Sequence, residues 1–253
     1  MGGETFQNRD LTGSRFDQVD LSDSVIHNSA LRRTRISGAW LHDIDLSGEI
    51  AGQLLVNGVD VAPYVEAELN RRWPERALMR PTDADGFRQA WPILERRWAE
   101  LVERAHRLPE SRLHERVDGE WSFLETLRHL VFATDAWVRR VVLGERAPFH
   151  PWGVPHSEEQ GSSDLFDEDA DPSLEEVLAI RAQRQAIVGS VIAGLTDEEL
   201  QRTTDPNPAP GYPKDTVHPV GRCLGAIVNE EWQHSTFAER DLAKLEARPQ
   251  PGS

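Results

Sequence analysis

From Phe6 onward a bulky apolar residue returns at every fifth position: Phe6, Leu11, Phe16, Leu21, Ile26, Leu31, Ile36, Leu41 and Leu46, then, after a weak Ala51, Val56 and Val61. A helix presents one face about every 3.6 residues and a strand every second residue, so neither element can bury this series. Small residues stand two positions before several of its members, Ser14, Ser24, Ser29, Thr34 and Ala39. They suit a second, narrower inward-facing position. A fixed period of this kind is the mark of a stacked, repetitive architecture.

The pattern resembles the pentapeptide-repeat family over roughly residues 4 to 62. That resemblance implies a right-handed quadrilateral β-helix, a β-solenoid with the bulky and small residues filling its interior. About a dozen pentapeptides make about three coils, near the least that a stack needs, so the segment is expected to lean on its neighbour. Some members of the family imitate a DNA duplex and bind topoisomerases. Here the segment to Asp60 carries nine acidic and five basic residues, with Arg32, Arg33 and Arg35 grouped together. That balance is too mild for duplex mimicry, and packing against the rest of the chain, or a homodimer contact, is the expected use.

Beyond Val61 the period becomes helical. The spacing predicts a short helix from Pro63 to about Arg72 and a connection punctuated by Pro74 and Pro81. Four longer amphipathic helices follow, at about Phe87–Arg107, Ser122–Leu143, Ser173–Ala193 and Gly221–Glu246. Ser173 and Glu176 form a capping box for the third. The expected organisation is a β-helix over residues 1–62, a helical linker over 63–84 and a four-helix bundle over 85–253. The connection from Glu145 to Pro172 is long for a compact domain, and loops of that length tend to be functional.

A chain of 253 residues can bury a core without staples, and its single cysteine, Cys223, excludes an internal disulfide. No apolar run approaches the length of a membrane span, and MGGETFQNRD lacks the character of a secretory signal. A cytoplasmic protein is the expectation. The net charge of −15 argues against nucleic acid as a partner.

Glu230 and His234, in NEEWQH, are four residues apart on the fourth helix and therefore share a face. Glu231, three residues from His234, competes with Glu230. His129 lies on or beside the apolar stripe of the second helix, among Trp121, Leu124, Leu127, Leu130, Ala133 and Trp137. A histidine there must be hydrogen-bonded or bind something. Two imidazoles and a carboxylate leave a divalent ion with an open position, as in catalytic sites. Cys223, two turns before Glu230, reads as a small buried hydrophobe.

The DGEW preceding the second helix, His129 eight residues after Trp121, and the late Glu230–His234 pair together resemble the DinB-like superfamily of four-helix metalloproteins. The resemblance covers roughly residues 85 to 246. Members commonly place an HxxxH pair on the last helix; the ExxxH found here is the variant of mycothiol-dependent maleylpyruvate isomerase and its relatives. It implies His129, Glu230 and His234 as metal ligands, with zinc or nickel as the ion. It also implies a low-molecular-weight thiol such as mycothiol as cosubstrate, in S-transfer to, or thiol-assisted isomerisation of, an electrophilic small molecule. A hydrolase using activated water is the nearest enzymatic alternative, and a non-catalytic pentapeptide-repeat interaction protein the alternative of another class. His150 and His156, in FHPWGVPHSEEQ, are candidate general acid or base residues. His218 is a weaker candidate, and Arg240 is expected to pair with neighbouring acids.

Overall fold

The computed structural model describes residues 3–27, 29–156 and 164–248. The chain divides between Glu49 and Ile50 into two compact units. In the first, no helix or strand forms among the described residues. The period of five is nevertheless written into the backbone, because Asn8, Gly13, Gln18, Asp23, Arg33, Gly38, Asp43 and Gly48 all have positive φ. Each stands two places after a bulky residue. Glycine takes that conformation freely and Asn and Asp at low cost, which accounts for six of the eight.

The bulky residues themselves stay exposed, from 42% at Leu11 to 72% at Ile36. Among the described residues the main-chain bonds formed here are turn bonds, Ser14 N–H to Leu11 O and Ser24 N–H to Leu21 O. A β-helix requires bonds from coil to coil, so the solenoid expected from the period is not shown. The sheet found among the described residues is instead a hairpin, β1 (Leu55–Val56) with β2 (Val59–Asp60). It turns through Asn57 and Gly58, both left-handed as a tight hairpin requires.

The second unit is helical. The Asp60 carboxylate accepts from the N–H groups of Leu54 and Ala62 and ties the hairpin to α1 (Ala62–Arg72), which buries no residue. A 3₁₀ segment, Pro74–Met79, leads to α2 (Ala84–Ala105). This helix starts three residues before the expected Phe87 because Asp83 caps it through Gly86 N–H at 2.7 Å. Its buried face, Phe87, Trp91, Leu94, Trp98, Leu101 and Ala105, follows helical spacing through Pro92. A short α3 (Glu110–Leu113) comes next.

The helix expected over Ser122–Leu143 is a rod of two kinds. Its first part, α4 (Phe123–Thr134), opens with a capping box of Ser122 and Glu125, and Asp135–Val142 continues it as a π-helical stretch. Wider turns of this sort are a common way to re-aim side chains near functional sites. Here they start at Asp135, a fully buried carboxylate. The helix α5 (Leu174–Ala193) carries the Ser173–Glu176 capping box as the sequence predicts. After α6 (Asp197–Gln201) the last helix, α7, spans Val220–Ala247.

The long helices form a ring: α4 packs on α5 and α7, and α2 packs on the same two. Two apolar clusters fill it. One gathers Phe87, Trp91, Val188, Leu224 and Trp232, the other Trp98, Leu127, Leu130, Val177 and Leu242. No helix among the described residues is long and apolar enough to cross a membrane.

Candidate metal centre

Helices α4 and α7 bring His129, Glu230 and His234 together, with one ligand-capable atom from each lying within 4.8 Å of the others. The capping box fixes where α4 begins and hence which face His129 presents; its ring is buried, at 5% exposure. On α7, Glu230 and His234 are one turn apart. The Glu230 Oε2 atom is the hub, 3.3 Å from His129 Nε2 and 3.1 Å from His234 Nε2. The imidazole centroids are 4.7 Å apart. Two imidazole nitrogens and a carboxylate oxygen at this separation fit a borderline divalent ion such as Zn²⁺.

The surroundings hold these groups in place. Trp121 lies 4.5 Å from the His129 ring and stacks at 5.8 Å on His234, while Phe237 meets His234 edge-on. His129 Nδ1 faces the Val154 carbonyl oxygen at 2.9 Å. When that nitrogen donates to the carbonyl, Nε2 is left directed toward Glu230, the arrangement usual behind metal-bound histidines. Burial alone would raise the Glu230 pKa, but the hydrogen bonds from His129 and His234 outweigh it and hold the carboxyl well below its usual range. Burial lowers the His234 pKa, against the opposing pull of Glu230. A carboxylate and a neutral imidazole are the forms a cation needs.

Glu231 is committed elsewhere. It is fully buried and accepts from Arg181 Nη1 and Nη2 at 2.7 and 2.8 Å. Cys223 is buried and lies outside the cluster, its thiol pushed up to about 11 by desolvation. Arg240 pairs with Asp241, as an ordinary surface arginine would.

The structure separates the two loop histidines. The backbone N–H of His150 donates to Asp135, whose carboxylate also accepts from Arg184 and Arg139. The His150 ring accepts from Trp152 N–H at 3.2 Å, and its pKa is lowered by burial and by Arg184. It is held by the Asp135 network rather than by the triad. His156 lies against Tyr212 at 4.5 Å and Phe132 at 6.1 Å, and Phe132 in turn contacts His129. One aromatic ring therefore stands between His156 and a triad histidine. His218 contacts Trp137 and Arg222. The Val154 carbonyl and the Arg181 counter-ion were not apparent from sequence: a main-chain carbonyl leaves no residue signature, whereas Arg181 did stand on the buried stripe of α5 beside Val177, Arg184 and Val188.

The fold and the site thus define a helical-bundle protein with a two-histidine, one-carboxylate candidate metal centre between facing helices. Residues 93–238, more than half of the chain, match the DinB superfamily, which includes metal-dependent enzymes, and the chain belongs to that superfamily. No curated protein and no solved structure matches it.

Proposed function

We propose that this protein is a metal-dependent enzyme that activates a small, mycothiol-like thiol for transfer to, or isomerisation of, an electrophilic small molecule. The observation that carries the proposal is the convergence of His129, Glu230 and His234 within 4.8 Å in a bundle of the DinB superfamily. A divalent ion, zinc or nickel, held there would supply an open position at which a thiol loses its proton near neutral pH.

The chain's own residues do the rest. Glu230 provides the anionic ligand and both imidazoles present Nε2 beside it. A proton on His234 Nε2 must move to Nδ1 or leave the ring before Nε2 can bind a cation. Trp121 and Phe237 pack against the His234 ring and help to fix its orientation. His156 is the better placed of the two loop histidines to hold a proton near substrate, and His150 serves to anchor the connection. The N-terminal segment, read as pentapeptide repeats, is an accessory to this activity.

The test is consumption of a small thiol in the presence of an electrophile such as maleylpyruvate or a haloarene, by wild type and by His129→Ala. Turnover by wild type alone supports the reading. Equal rates with and without thiol, accompanied by hydrolysis, would reassign the reaction to water.

A further inference from the structure

The triad histidine on α4 is oriented by a main-chain oxygen, and that oxygen belongs to the long connection between the π-helical stretch and α5. A carbonyl in a loop is only as well placed as the loop. Here both limbs of the loop are gripped by Arg128, the residue next to His129 in sequence. Arg128 Nε donates to Trp152 O at 2.8 Å, Nη1 to Ala170 O at 2.7 Å and Nη2 to Asp167 O at 3.4 Å. Its own carbonyl accepts from Val154 N–H at 3.3 Å. The two limbs are joined again where Asp167 N–H donates to Pro151 O at 2.8 Å. All the donors of this half-buried guanidinium that are engaged go to main-chain carbonyls on both limbs, a use that suits a planar fork and not a single ammonium.

We propose that Arg128 is a positioning residue for the metal centre: it clamps both limbs of the Glu145–Pro172 connection and so keeps the Val154 carbonyl on Nδ1 of His129. The inference rests on the metal reading given above. Adjacent positions on α4 point about 100° apart, so Arg128 can grip the loop while His129 faces α7. Loss of the clamp leaves His129 in place on its helix but loosens the carbonyl that orients its Nδ1. The effect therefore falls on cation affinity more than on folding, and groups that orient ligands in this way typically change affinity by about 10- to 100-fold.

The test is Zn²⁺ affinity of the full chain, measured by chelator competition in wild type, Arg128→Met, Arg128→Lys and Arg116→Met, beside the metal-free melting temperature of each. Arg116 pairs with Glu125 at the start of the same helix and bonds to none of the described residues of the loop, so it controls for general damage. Expected is a loss of about 10- to 100-fold in R128M, partial recovery in R128K and wild-type affinity in R116M, with the cobalt-substituted R128M also showing an altered visible spectrum. Wild-type affinity in a folded R128M, or an equal loss in R116M, overturns the inference. Should R128M not fold, R128K decides alone: affinity equal to wild type overturns the clamp and a loss upholds it. Absence of zinc binding by wild type overturns the metal reading itself, and the clamp with it.

Discussion

Arg181 and Glu231 form a buried bidentate pair across α5 and α7, with both side chains no more than 3% exposed. Two neighbouring glutamates on α7 are thereby given different tasks: Glu231 is bound to a cation of the fold and Glu230 is left for the site.

Their variants should separate accordingly. Arg181→Met strands a carboxylate in the core and is expected to cost about 3–5 kcal/mol in urea unfolding of the metal-free protein. Glu230→Gln should cost far less and abolish metal binding. A severe folding defect in E230Q with a mild one in R181M would reverse the assignment.

Acid should weaken the metal-free fold in two stages. The His234 pKa is lowered from 6.5, so above that value folding costs no proton, and stability falls as pH drops from 6.5 toward the folded pKa. The Glu230 pKa is lowered from 4.5, so its contribution is full above 4.5 and is lost as pH falls below it. Urea midpoints between pH 8 and 3, taken on metal-free protein, should show the upper stage disappear in His234→Ala and the lower one in E230Q. A profile that both variants leave unchanged would remove the triad from the titration.

Arg140 is the opposite case to Arg181. It is 2% exposed, and among the described residues its Nε and Nη1 atoms have no hydrogen-bond partner, while Nη2 reaches Asn207 O at 3.3 Å. Unpaired buried N–H groups are costly, so Arg140→Met is expected to be neutral or to stabilise by about 1 kcal/mol. A loss of several kcal/mol would mean that the guanidinium is paired in solution.

What could be read in the sequence follows physical lines. Helix α5 and its capping box are local in origin, and the i, i+4 relation of Glu230 and His234 needs only a helix; both are present in the structure. His129 was visible because an ionisable group on an apolar stripe demands a partner. The π-helical stretch at Asp135 was not visible: it begins at a buried carboxylate whose partners are Arg139, four residues on in the same stretch, and Arg184 from α5, a pairing between helices that local sequence does not reveal. The resemblance favours Glu230 over Glu231, but what occupies Glu231, Arg181 on another helix, is visible only in the tertiary structure. The five-residue period is present in the backbone at Gly13, Asp23, Gly38 and Asp43, but its burial in a solenoid depends on contacts between coils that periodicity alone does not supply.

The proposed function requires that His129, Glu230 and His234 together hold one cation. Metal content per chain, by mass spectrometry on protein purified without a histidine tag and reconstituted with zinc or nickel, tests it most directly. About one ion per wild-type chain is expected, and almost none in folded His129→Ala, Glu230→Ala and His234→Ala. A wild-type chain that takes up no ion, or variants that keep it, would rule out the triad as a metal site.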